Sequence, residues 1–169
     1  MAQLEKQALL GRLSAHFLQH GLVRLHPDAV EPVARAALAA LAGLPHYEQL
    51  WVGELHPGAQ LIAVASGERL PGVEFARRAE LLAQRAEALR DRVKGPVQAL
   101  QLAVYERAVP TQELDFVLSR GRRAAFLPFA RGKVATWVFA LDQPALHAKK
   151  FRGWAAELSA PELRKLLAA

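Results

Sequence analysis

The chain has 169 residues, 52% of them hydrophobic, with 22 Lys and Arg against 16 Asp and Glu and a formal net charge of +6. These values fit one soluble globular domain that can bury a core without disulfides or a structural metal. Cysteine is absent, which excludes thiol catalysis and thiolate metal sites. The first residues lack the pattern of a signal peptide and no stretch has the roughly 20 apolar residues of a membrane span, so we expect a cytoplasmic protein.

Three segments carry the apolar periodicity of helices. Leucines and a phenylalanine at steps of three and four predict a first helix over 4–20. Asp28 and Glu31 have the spacing of a capping box and predict a second helix over 29–42. The most regular pattern runs over 73–93, where Arg, Glu and Gln fill the positions between the apolar residues. This segment is predicted to be a long amphipathic helix.

Two runs of apolar residues, 49–55 and 60–66, lie on either side of a Pro-Gly pair that suits a type II turn, and they predict a β-hairpin. The continuous apolar run 97–106 is typical of a strand buried on both faces, so we expect it near the centre of the sheet. A second hairpin is predicted from strands 123–129 and 134–141 around Arg131-Gly132-Lys133.

Short helices are predicted over 111–119 and 161–169, and the chain shows neither an internal repeat nor an interdomain linker. The order of elements predicts a single α/β domain over 1–169, with a mixed sheet of four to five strands and the long amphipathic helix; an α+β arrangement is the alternative.

The positive charge is concentrated in the C-terminal third, 120–154. From 120 to 152 there are eight basic residues against Asp142 alone, a net charge of +7, which leaves −1 for the rest of the chain. Lys and Arg neutralise phosphates, and aromatic side chains can stack on bases or lie at the boundary of lipid headgroups. The same residues also fit ordinary strand positions and solvated surface. The residues predicted to bind an anionic partner are Arg120, Arg122, Arg123, Arg131, Lys133, Lys149, Lys150, Phe151, Arg152 and Trp154.

Signals for catalysis are weak. The serines stand in neither Gly-x-Ser-x-Gly nor Ser-x-x-Lys, and no Asp-x-Lys or Glu-x-Lys pair of the metal-dependent nuclease type occurs. His16 and His20 are spaced to share a metal on the first helix, but a third ligand is missing from the pattern, so we interpret them as structural. We therefore predict no cofactor, no metal and no catalytic residue. A metal-dependent phosphodiesterase using Glu54, Glu106 or Asp142 at strand ends is the third function considered.

Four segments follow one another along the chain: Leu13-Ser14-Ala15-His16-Phe17-Leu18, the hairpin beginning Gln49-Leu50-Trp51-Val52, the Arg- and Glu-rich helix, and the strand 97–105. This order resembles the N-terminal cytosolic domain of bacterial rhomboid-type intramembrane proteases. The resemblance spans about residues 8–118. It implies an α/β core similar to restriction endonucleases but without their nuclease motif, and a regulatory role. Rhomboid transmembrane segments and their Gly-x-Ser-x-Gly serine are missing from this sequence, so proteolysis is not implied.

Together these patterns predict a non-catalytic cytosolic binding or regulatory domain with a basic surface for an anionic partner, as part of a membrane-associated system. The alternative is a small nucleic-acid-binding protein whose binding is sensitive to salt and largely independent of sequence. The sequence leaves the oligomeric state open, and a protein partner also remains open.

Overall fold

The computed structural model describes residues 2–42, 44, 47–55, 58–67, 72–107, 133–142, 145–148 and 165. Three helices and six strands are described, and these strands form one mixed sheet in the order β1-β2-β3-β4-β5-β6. The described elements are α1 (Ala2–Gln19), β1 (Val23–Arg24), α2 (Pro32–Ala40), β2 (Gln49–Glu54), β3 (Ala59–Gly67), α3 (Gly72–Val93), β4 (Val97–Tyr105), β5 (Lys133–Ala140) and β6 (Ala145–Ala148).

The outer strands of the sheet pair antiparallel and the central strands pair parallel. β1, β2 and β3 pair antiparallel, β3, β4 and β5 pair parallel, and β6 returns antiparallel to β5. The parallel strands therefore all begin on the same side of the sheet and all end on the opposite side. We call the line of strand starts the amino edge and the line of strand ends the carboxyl edge. β4 lies between β3 and β5, which confirms the prediction of a central strand buried on both faces.

Alternation along the strands divides the core into two layers. On one face, Ile62, Val64 and Leu102 pack under α1, together with Leu13 and Phe17 of that helix. On the other face, alternate residues of β3 and β4 pack against α2 and α3. Successive side chains of a strand point to opposite faces, so a strand between two helical layers must be apolar along its whole length. The α/β prediction for a single domain is confirmed.

The helices begin and end for local reasons. α1 gives way to Gly21, whose φ of 78° suits a residue without a Cβ. The predicted capping box was wrong: α2 begins at Pro32 rather than at residue 29, and its N-cap residue Glu31 makes no side-chain capping bond. Proline fits the first helical position because it has no N–H to leave unpaired there. Asp28 lies in the loop before the helix, where its backbone N–H donates to His26.

Within the described residues the sheet has six strands, where the sequence predicted four to five. β2 to β5 are the four long strands, and the additional pairing comes from the two-residue β1 and the four-residue β6. The first predicted hairpin is confirmed as β2 and β3. β5 confirms the predicted strand 134–141, but its described antiparallel neighbour is β6, which the sequence did not indicate. The predicted strand 123–129 and helix 111–119 lie outside the described residues, as does helix 161–169 apart from Lys165, which is helical and exposed.

Candidate functional site

Of the ten residues predicted to bind an anionic partner, the structure describes Lys133. It is the first residue of β5, in register with Gln98 of β4, and so lies at the amino edge of the parallel strands. The other nine lie outside the described residues: Arg120, Arg122, Arg123, Arg131, Lys149, Lys150, Phe151, Arg152 and Trp154.

The amino edge gathers further cations from α3. This helix crosses from the end of β3 to the start of β4, so its last turn lies where β4 and β5 begin. Arg92 and Lys94 are exposed there and Arg90 is partly exposed. We call Arg90, Arg92 and Lys94, together with the backbone position of Lys133 at the start of β5, the amino-edge cluster. The sequence analysis predicted an amphipathic helix here and did not count its cations with the basic C-terminal third. The signal that could have joined them to Lys133 was the break at 95–96, which places the helix end beside the start of β4.

Two concave regions border this edge. The larger, about 410 Å³, is lined by residues of α2, the end of α3 and both sides of the β2–β3 turn, among them the exposed Glu54 and Arg92. The smaller, about 390 Å³, is formed by the last turn of α3 and the residues that lead into β4. Arg90, Asp91, Lys94, Gly95 and Pro96 line this smaller cavity.

A polar contact is built into the centre of the fold, between the loop before β2 and the middle of β4. Gln101 is fully buried on β4, and the Tyr47 hydroxyl lies 2.5 Å from its side-chain oxygen and 3.3 Å from the backbone oxygen of Arg78. Burial raises the pKa of the Tyr47 phenol well above its usual value of 10, although the charge of Arg78 opposes the shift. The phenol therefore stays protonated at neutral pH and donates to Gln101.

Polar groups also lie under α1. The Trp51 indole N–H donates to the Gln49 side-chain oxygen at 2.9 Å, and the Ser14 hydroxyl lies 3.5 Å from the same oxygen. Lys6 of α1 forms an ion pair with Glu106, which follows β4, with an N–O distance of 3.6 Å. These contacts fix the direction of α1 across the sheet, because its start is held at the carboxyl edge.

The three carboxylates considered for a phosphodiesterase do not lie together. Glu106 and Asp142 follow β4 and β5 at the carboxyl edge, whereas Glu54 ends β2 beside the start of β3 at the amino edge. The nine residues of β4 separate the two edges by about 30 Å. Among the residues that the structure describes, no three His, Asp or Glu side chains are grouped closely enough to hold a metal ion.

The histidine pair of α1 makes a local contact. The rings of His16 and His20 lie 4.3 Å apart, and Nδ1 of His20 is 3.1 Å from the backbone oxygen of His16. This contact joins the His20 side chain to the backbone of the preceding turn at the end of α1, which is a local structural contact.

Comparison with known proteins adds no family: no family model, curated protein or solved structure matches the chain. The resemblance to the rhomboid N-terminal domain therefore stays a prediction. Within the described parts of the chain, no helix has the length and apolar character needed to cross a membrane.

Proposed function

We propose that this protein is a non-catalytic binding domain whose basic C-terminal third, 120–154, engages an anionic surface. The observation that carries the proposal is the uneven distribution of charge. Residues 120–152 hold eight basic residues against one acidic residue, while the rest of the chain has a net charge of −1. Such an excess attracts phosphate-bearing surfaces at long range, and the salt dependence of log K grows with the number of phosphates contacted.

The amino-edge cluster supports this proposal from the part of the chain that the structure describes. β5 starts with Lys133 directly after the basic segment 120–132, and it does so beside the end of α3, which adds Arg90, Arg92 and Lys94. Charges held on the ends of regular elements are positioned without the entropy cost of ordering a loop. A phosphate surface that binds at the start of β5 would therefore also lie near the cations at the end of α3.

The partner that we favour is an anionic lipid surface, with a regulatory role in a membrane-associated system. The segment Lys149-Lys150-Phe151-Arg152-Gly153-Trp154 combines three cations with two aromatics, the composition that binds at a headgroup boundary. Each cation near an anionic leaflet contributes on the order of 1 kcal/mol, so this segment needs the rest of the basic third for stable binding. Nucleic acid is the second candidate, because the same cations neutralise backbone phosphates and the same aromatics stack on bases.

The test is a salt titration of binding to vesicles with and without phosphatidylserine, in parallel with labelled single-stranded and double-stranded DNA. Membrane binding predicts association with anionic vesicles only, and replacing Phe151 and Trp154 by Ala should weaken it as much as replacing Lys149 and Lys150. Nucleic-acid binding predicts that Arg122→Ala, Arg123→Ala and Lys133→Ala each lower the salt slope by about one unit for any DNA sequence.

The matched control is Arg107→Ala, which removes one exposed charge at the carboxyl edge, away from the amino-edge cluster. It should leave binding to either target unchanged. Absence of binding to all four targets at low salt would refute the proposal and direct the search to a protein partner.

A further inference from the structure

The larger of the two concave regions at the amino edge has the size of a small-molecule site. Its volume is about 410 Å³, at the lower end of the range typical of such sites. A compact cavity of this volume is about 9 Å across, which is shorter than three residues of extended chain. The cavity therefore suits one small molecule better than a peptide segment.

Apolar side chains make up most of the lining. Val33 and Ala36 come from the first turns of α2, and Val93 is the last residue of α3. These three residues are only partly buried against the core layer under α2 and α3, so part of their apolar surface faces the cavity. Pro32 and Leu55 extend this lining on either side. An aliphatic group placed here would remove apolar surface from water.

Two side chains of opposite charge belong to the same lining. Glu54 is the last residue of β2 and Arg92 lies in the last turn of α3, and both are exposed. Although these two described side chains line one cavity, they do not form an ion pair with each other. A purely anionic ligand would be repelled by Glu54, and a purely cationic one would be repelled by Arg92. The pair of charges therefore favours a ligand that carries both signs.

We propose that this cavity binds a free α-amino acid with an aliphatic side chain. The Arg92 guanidinium donates to the ligand carboxylate, which it matches with two parallel N–H groups. The Glu54 carboxylate accepts from the ligand ammonium group, and the aliphatic side chain covers the apolar lining. The proposal does not depend on the function proposed above, because none of these contacts involves an anionic surface.

The exposure of both charges predicts weak binding. Ion pairs that remain in contact with water contribute little, so each charge should strengthen binding only roughly two- to fivefold. With a ligand of so few atoms, we expect a dissociation constant on the order of 1 mM.

The test is an NMR titration of the isotope-labelled full chain with L-leucine up to about 50 mM, well above the expected dissociation constant. We expect saturable shifts of the backbone amide signals of Val33, Ala36, Leu55 and Gly58, which line the cavity. Three further probes each lack one recognised group: glycine lacks the aliphatic side chain, isoamylamine lacks the carboxylate, and isocaproate lacks the ammonium group. Each of the three should bind more weakly than L-leucine.

Substitutions assign each charge to its group on the ligand. Arg92→Ala should weaken binding of L-leucine roughly two- to fivefold without weakening that of isoamylamine, which has no carboxylate. Glu54→Gln should weaken binding of L-leucine by a similar factor without weakening that of isocaproate. Arg35→Ala is the matched control, because Arg35 is exposed on α2 and does not line the cavity.

Three results would overturn the proposal. The first is the absence of saturable shifts over the whole range of L-leucine. The second is a set of shifts that maps away from the cavity. The third is a loss of binding in Arg35→Ala equal to that in Arg92→Ala, since the effect would then come from the net charge of the surface.

Discussion

The contact between Tyr47 and Gln101 should couple the loop before β2 to the centre of the sheet, and Tyr47→Phe tests this. The substitution keeps the aromatic ring and removes the hydroxyl that lies 2.5 Å from the Gln101 side-chain oxygen. The Gln101 side chain is fully buried, so the removed hydroxyl is a donor to an acceptor that lies in the core. Removing a hydrogen bond to a buried acceptor costs about 1–3 kcal/mol.

The companion substitution is Gln101→Met, which has a similar shape and no amide. It leaves the Tyr47 hydroxyl with an acceptor, the backbone oxygen of Arg78 at 3.3 Å, so we expect a smaller loss than for Tyr47→Phe. In the double variant both polar partners are gone, and replacing a buried pair by apolar groups is nearly neutral. The double variant should therefore be more stable than the sum of the single losses by about 1 kcal/mol.

The assay is urea unfolding of the four proteins, followed by circular dichroism, at a protein concentration low enough to keep the chain monomeric. For a domain of this size 1 kcal/mol also corresponds to a shift of about 2–4 °C in Tm. Additive effects within about 0.3 kcal/mol would show that the two side chains do not interact in solution. In that case the hydrogen bond would not contribute to the stability of the fold.

Three further predictions concern stability. Because the pKa of Tyr47 is raised in the folded state, its contribution to the free energy of unfolding is fully present below pH 10 and is lost as the pH rises through the folded-state pKa. Above pH 10 the free energy of unfolding should therefore fall less steeply with pH for Tyr47→Phe than for the wild type. Gly58→Ala should destabilise the fold by about 1–3 kcal/mol, because φ is 107° and a Cβ would overlap a backbone oxygen. Gly11→Ala should stabilise the fold by about 1 kcal/mol, because the position is in a helix and has open space. Shifts of Tm in the same direction for both variants in thermal unfolding would contradict this pair of predictions. Glu106→Gln should lower the free energy of unfolding by about 1–2 kcal/mol, because it leaves the mostly buried Lys6 ammonium without its carboxylate. Lys6→Met should lower it less, and denaturant titration of both variants checks this order.

The local elements could be predicted because their causes are local. The periodicity of 73–93 predicted α3, and the Pro-Gly turn predicted the β2–β3 hairpin, since a helix face and a turn conformation depend on residues close together in sequence. The continuous apolar run of β4 even predicted its central place, because only a strand between two covered faces needs apolar residues at every position. The predicted start of α2 was wrong because the capping pattern at Asp28 and Glu31 indicated residue 29, whereas the helix begins at Pro32, which fits the first helical position.

The candidate site could be predicted only in part. Charge counting found the basic third, which includes Lys133, but it could not join Lys133 to Arg90 and Lys94, which are about 40 residues away along the chain. Their proximity comes from the parallel pairing of β4 and β5, a contact with no local signature. The same holds for the Tyr47–Gln101 contact, which spans 54 positions.

The sequence alone therefore determined the class of fold, the approximate extent of α1, α3 and the strands β2 to β5, and the uneven charge of the chain. Composition and periodicity are properties of short windows, and the physical effects that they report act within those windows. The tertiary structure decided the order of the strands, the pairing of β5 with β6, and the separation of Glu54 from Glu106. Each of these depends on which distant segments pack together, because the sheet buries its two faces only once the strands have their final order.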